Sequence, residues 1–238
     1  AASLGYFRDP YIGLFAGGGG EPARRLPPVI NRGNFARVSC IEKLVLEFLA
    51  PAKANETDAG NANRGSSSCR VQDSSSGACS STTPFSLRKP QVISLGAGKD
   101  SLFFRLRKDG RSPIGGYFEV DFEAISAWKA QIIGNTPALA ALAGERERTA
   151  DLRDTVGLEE GLEKAGVDFS APTIFLAECV LVYMEANKSS DLLQWCASRF
   201  PDAMLAAYEM TKPGDAFGKM MRQNIQQMGC SLPGLTPF

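Results

Sequence analysis

Gly96, Gly98, Asp121, Asp151 and Glu178 are the residues whose types and spacing could do chemistry in this chain. The two glycines follow the apolar run Val92-Ile93-Ser94-Leu95 and precede Leu102, Phe103 and Leu106, which fall at helical spacing. Strand, bare turn and helix in that order let a nucleotide-type ligand approach the backbone at a strand's carboxyl end. Asp121 stands 25 positions after Gly96, closing the next apolar stretch. An acidic side chain there can accept hydrogen bonds from both hydroxyls of a ribose. Asp151, in "TADLRD", could accept from an adenine amino group, with the Leu152 amide beside the ring. Glu178 follows Ile174-Phe175-Leu176-Ala177 and should line the cleft, since a buried carboxylate is costly without a partner. Tyr183 and Met184 would line the same mouth.

Each of these residues also has a plainer reading. A glycine pair after a strand can be no more than a turn, and Ser101 stands where a dinucleotide fingerprint has its third Gly or Ala. Asp121 could be a solvated strand end, and Asp151 or Asp154 a helix N-cap before "TVGLEEGLEKAG". Taken together, the glycine turn and Asp121 fit either NAD or S-adenosylmethionine. The chain contains no histidine, which removes Ser-His and Cys-His nucleophile pairs, most zinc sites and the commonest general base. No metal site is expected. Lys and Arg number 26, as do Asp and Glu, so no net charge draws the chain to nucleic acid or to a membrane surface.

The elements that must position these residues alternate from Pro90 onward, which predicts a parallel α/β sheet with helices on its faces. "QVISLGAG", "GYFEVDF", "APTIFLAECVLVYM" and "DAMLAAYEM" read as strands, and "SSDLLQWCASRF" as the clearest amphipathic helix. "AGERERTADLRD" falls where a strand is wanted, yet Glu145 to Arg148 are all charged, and as a strand it is poor. Upstream, "FARVSCIEKLVLEFLA" carries Val38, Ile41, Leu44, Val45 and Phe48 at helical spacing. Three regions follow: 1–50, a helical lid; 51–89, a low-complexity insert rich in Ser, Gly, Ala and Asn; and 90–238, the sheet. None of the six cysteines forms a CxxC pair, which points to a reduced, cytoplasmic protein, with a Cys69–Cys79 disulfide as the alternative. The apolar stretches are too short to span a bilayer, and the N-terminus has no apolar signal core. A monomer is expected.

The segments "PPVINRGNFARV", "VISLGAGKDSLFFRL", "YFEVDF", "ADLRD", "FLAECVLVYM" and "GDAFGKMM" together resemble the leucine carboxyl methyltransferase family. The resemblance implies a Rossmann-like, S-adenosyl-L-methionine-dependent methyltransferase sheet with an N-terminal helical lid. It implies methylation of the C-terminal leucine carboxylate of the protein phosphatase 2A catalytic subunit. Residue by residue, it implies that Arg37 holds the cofactor's carboxylate and that Gly96 lies against its backbone. Asp121 would take the ribose, Asp151 with Leu152 the adenine, and Glu178 would complete the pocket near the methionine end. Arg32 could replace Arg37 in another helix register. Family members begin before Ala1 and continue past Phe238, so the resemblance implies a chain truncated at both ends that lacks its last strands. It leaves two rivals: a paralogue that binds cofactor or phosphatase without transferring methyl, and a relative acting in the tRNA wybutosine pathway. An NAD dehydrogenase is disfavoured by Ser101 and by the missing acid/base residue.

Overall fold

The computed structural model describes residues 1–16, 27–50, 88–110, 115–143 and 152–235. Four parallel strands form one sheet: β1 (Gln91–Leu95), β2 (Gly116–Val120), β3 (Thr173–Glu178) and β4 (Ala203–Tyr208), in the order β2-β1-β3-β4. These are the four strands the sequence predicts. Parallel pairing buries a strand on both faces, and β1 is buried at all five positions. Its register runs Leu95 opposite Val120 on one side and opposite Ala177 on the other. The three carboxyl ends therefore finish level.

Alternation along the strands sorts two cores. Val92, Tyr117, Ile174, Leu176 and Ala206 face one side, where α1 (Ile12–Phe15) contributes Phe15 and α2 (Pro28–Leu49) contributes Ile41, Val45 and Leu49. Leu102, Phe103, Phe104 and Leu106 of α3 (Leu102–Lys108) and Leu139 of α5 (Pro137–Ala143) join them, while α4 (Glu123–Asn135) lays Trp128 and Ile132 against the same core. Ile93, Leu95, Val120 and Phe175 face the other side. There α6 (Thr155–Lys164) supplies Leu158 and Leu162, and α7 (Ala186–Arg199) supplies Leu192 and Cys196. The chain runs from β1 outward to β2 and then returns to β3 on the opposite flank, so a crevice opens above β1 where the order reverses. This is the parallel α/β sheet, Rossmann-like in its strand order, that the sequence predicts.

The helix around "FARVSCIEKL" starts earlier than its apolar spacing suggests. Pro28 occupies its first turn, where a missing N–H costs nothing. Asp154 caps α6, accepting from Val156 and Gly157 amides at 3.2 Å each. The charged "GERERT" segment, Asp151 and both Cys69 and Cys79 lie outside the described residues. The last helix is α8 (Ala216–Gln227). Among the described residues no helix is long and apolar enough to cross a membrane.

Candidate functional site

The glycine turn is built by backbone geometry that side chains would oppose. Gly96 and Gly98 have φ of 63° and 49°, the left-handed region that costs glycine nothing. Gly96 N donates to Val120 O at 2.7 Å, tying the turn to the end of β2. A Cβ on Gly96 would stand 2.8 Å from Val180 Cγ2, so any side chain here would strike the opposite wall of the crevice.

Asp121, one residue past β2, folds over this turn. Its Oδ2 accepts from Gly98 N at 2.6 Å and its Oδ1 from Phe122 N at 2.8 Å. Each oxygen keeps a second lone pair, so the carboxylate can still accept from a ligand. Beside it lies a cavity of about 280 Å3 lined by Gly96, Asp121, Leu152, Val180 and Tyr183, among others. Phe122 also lines it, with the Arg153 guanidinium 5.5 Å from the ring. Leu152 is buried, whereas Tyr183 is 45% exposed at the rim.

Arg37 reaches the same crevice from α2. Its Nε stands 3.3 Å from Glu178 Oε2 at the end of β3, and its Nη1 points to Cys179 Sγ at 3.9 Å. Arg37 Nε is nonetheless buried without an aligned hydrogen bond. Arg32 is exposed, so the helix register settles that Arg37 is the arginine facing the strand ends. Burial pushes the Glu178 carboxyl up to about 7, the Asp100 carboxylate adds to the rise, and Arg37 and Arg105 oppose it. Burial likewise raises the Cys179 thiol, which the neighbouring Arg37 pulls back only in part.

The structure thus brings Gly96, Asp121, Leu152 and Tyr183 round one cavity and pairs Arg37 with Glu178 alongside it. Asp151 lies outside the described residues. Cys179, which lines the cavity at a φ of 55°, has no signal in the sequence, because nothing in "AECV" marks a left-handed residue. A second missed feature is a buried cluster behind the glycine turn. Asp9 Oδ2 accepts from Ser101 Oγ at 2.6 Å and from Arg105 Nη1 at 2.9 Å, and Arg105 Nε reaches Glu42 at 3.2 Å. Opposite charges in "FRDP", "IEKL" and "FFRL" are visible in the sequence, but their partnership is set by the fold alone.

The sequence pattern of the leucine carboxyl methyltransferase family matches residues 82–197. A human tRNA wybutosine-synthesizing protein 4 is 35% identical over 254 aligned residues, covering 100% of this chain and 32% of its own length. A rat leucine carboxyl methyltransferase 1 is 33% identical, covering 99% of this chain and 65% of its own. The chain thus spans about a third of the first relative and just under two thirds of the second. Among solved structures, an O-methyltransferase family protein from Burkholderia thailandensis superposes with a TM-score of 0.42 at 17% identity, over 64% of this chain and 43% of its own.

Proposed function

We propose that this chain, which matches the leucine carboxyl methyltransferase family over residues 82–197 and is about a third identical to its members, methylates the C-terminal leucine carboxylate of the protein phosphatase 2A catalytic subunit, with S-adenosyl-L-methionine as methyl donor. One observation carries the reading: an arginine and a glutamate paired at 3.3 Å beside a glycine turn that an aspartate closes. The donor has an amino-acid head at one end, with a carboxylate and an ammonium, and an adenosine at the other. Arg37 offers a planar fork for the carboxylate, and its buried Nε still lacks an aligned acceptor. Glu178 offers the countercharge for the ammonium. Gly96 leaves the backbone open, Asp121 keeps lone pairs for the ribose, and Leu152, with Asp151, flanks the adenine.

When bound, the donor supplies an electrophilic methyl group on a positively charged sulfonium. The chain's own residues then have no proton to remove. A C-terminal carboxyl has a pKa of about 3.3–3.7 and is an anion throughout the neutral range. The residues around the crevice hold two reactants in line and exclude water, which is work that a chain without histidine can do. Tyr183, half exposed at the rim, would meet the incoming leucine.

A second reading draws on the human relative named for tRNA wybutosine synthesis, which aligns over the whole chain. There the acceptor would be a carboxylate on a modified tRNA base, approached without help from net charge, since acidic and basic residues balance at 26 each. Labelled methyl transfer to phosphatase core enzyme and to tRNA, run in parallel, separates the readings. We expect base-labile label on the phosphatase. Label on the tRNA alone would favour the second reading. Donor binding with label on neither would mark a binding module that transfers no methyl.

A further inference from the structure

Glu209 follows β4 and takes no part in the site described above. Its Oε1 accepts from two successive backbone amides, Val180 N at 3.0 Å and Leu181 N at 2.8 Å. Its Oε2 is buried and has no hydrogen-bond partner among the described residues. A buried carboxylate oxygen without a partner costs free energy, so packing does not account for a glutamate here. What the side chain contributes is the pair of charge-assisted bonds.

Those bonds hold a turn that local preference would not choose. Cys179 sits at a φ of 55°, where residues with side chains are uncommon. Its amide donates to Tyr208 O at 2.8 Å, so the β3–β4 pairing runs one residue past β3 and delivers the turn to Glu209. The 3-10 turn Leu181–Tyr183 follows directly. This turn is the wall of the cavity: Cys179, Val180 and Tyr183 line it, and Val180 fills the space that a side chain on Gly96 would need. From behind, Gly234 N donates to Val182 O at 3.1 Å, but that contact comes after the strained residue and leaves the Val180 and Leu181 amides to Glu209.

We propose that Glu209 is a positioning residue for the donor pocket. Through the Val180 and Leu181 amides its carboxylate fixes the 179–183 turn, so that Val180 lies against the glycine turn and Tyr183 faces the cavity. The inference rests on the reading that this cavity receives the methyl donor, and the experiment separates the two.

The full chain is compared with Glu209→Ala and Glu209→Gln by site-resolved amide hydrogen exchange and by calorimetric titration with S-adenosylhomocysteine. In Glu209→Ala, exchange at Val180 and Leu181 should quicken while β1 and β2 keep their protection. Affinity for S-adenosylhomocysteine should fall about tenfold, the equivalent of one charge-assisted bond. Glu209→Gln keeps a carbonyl oxygen that can accept from both amides and should restore both readouts to within about threefold. Unchanged exchange at those two amides overturns the proposal, as does unchanged affinity. So does a loss of protection spread over every strand that Glu209→Gln fails to repair, because the glutamate would then hold the fold and not the turn. If the wild-type chain does not bind S-adenosylhomocysteine, the donor reading fails. Exchange at Val180 and Leu181 then decides the role of Glu209 by itself.

Discussion

Arg37 and Glu178 answer to each other, so their variants should differ in kind and not only in size. Arg37→Ala removes the fork that the proposed reading gives to the donor's carboxylate and should weaken donor binding by roughly 2–3 kcal/mol. Arg32→Ala, exposed on the same helix, should leave it unchanged. Calorimetry with S-adenosylhomocysteine checks both, and equal affinity in Arg37→Ala would remove Arg37 from the site. Glu178 makes a prediction about pH. Its carboxyl is raised from 4.5 to about 7 by burial first and by Asp100 second. A carboxyl raised in the folded state is protonated there while the unfolded chain has already lost the proton. Its contribution to stability is therefore complete below about pH 4.5 and is lost as pH climbs through 7, with a slope of at most about 1.4 kcal/mol per pH unit. Glu178→Gln should flatten that slope in denaturant titrations between pH 5 and 7.5. An ammonium group placed beside Glu178 would favour the carboxylate, so donor binding below pH 7 should release a proton. Titrations in two buffers of different ionisation enthalpy read that release, and a proton count of zero at pH 6 would place the ammonium elsewhere.

The elements hold the site from two sides, and the N-terminal side is the more vulnerable. Asp9 Oδ1 accepts from the Tyr11 and Ile12 amides at the start of α1, while its Oδ2 takes Ser101 and Arg105 of the turn into α3. The Asp9 and Arg105 side chains are only 2% and 8% exposed. Removing one partner of such a pair leaves the other charge buried, which costs about 3–5 kcal/mol. Asp9→Ala should lose that much in denaturant unfolding and should loosen the residues behind Gly96. A loss below about 1 kcal/mol would show that solvent reaches Arg105 easily. Elements of this molecule were legible where period and punctuation agreed. β1 through β4 read directly from short apolar runs, and Asp154 before "TVGLEEGLEKAG" caps a helix as its type and place allow. The Asp9–Arg105–Glu42 cluster was not legible. Residues more than thirty positions apart meet only when α2, α3 and the segment before α1 pack together, and no local pattern encodes that meeting. Glu209 escaped for a related reason: it follows an edge strand in sequence, and only the β3–β4 register places it under the 179–183 turn.

At the scale of the whole molecule, the acceptor must be recognised by more than its last residue. A single leucine side chain entering the rim beside Tyr183 contributes about 1.5–3 kcal/mol when fully buried. That is enough to reject glycine or a charged residue, yet it corresponds to no better than millimolar binding by itself. The cavity beside the glycine turn is about 280 Å3, and the proposed reading gives that space to the donor. If the acceptor is the proposed phosphatase tail, the remaining binding energy has to come from a folded surface of the phosphatase. Label transfer should therefore be fast to intact phosphatase core, absent from its leucine-deleted form and slow to the free tail peptide. The pH profile separates chemistry from binding. Single-turnover rates with donor and acceptor saturating should be flat from pH 6 to 9, because the attacking carboxylate is ionised throughout. The ratio kcat/KM for the donor should instead rise towards pH 7 and then level, following Glu178. Equal labelling of the leucine-deleted form would end the proposal of carboxyl methylation. A steep rise through neutrality in the saturated rate would mean that some residue removes a proton during transfer, which a carboxylate acceptor does not require.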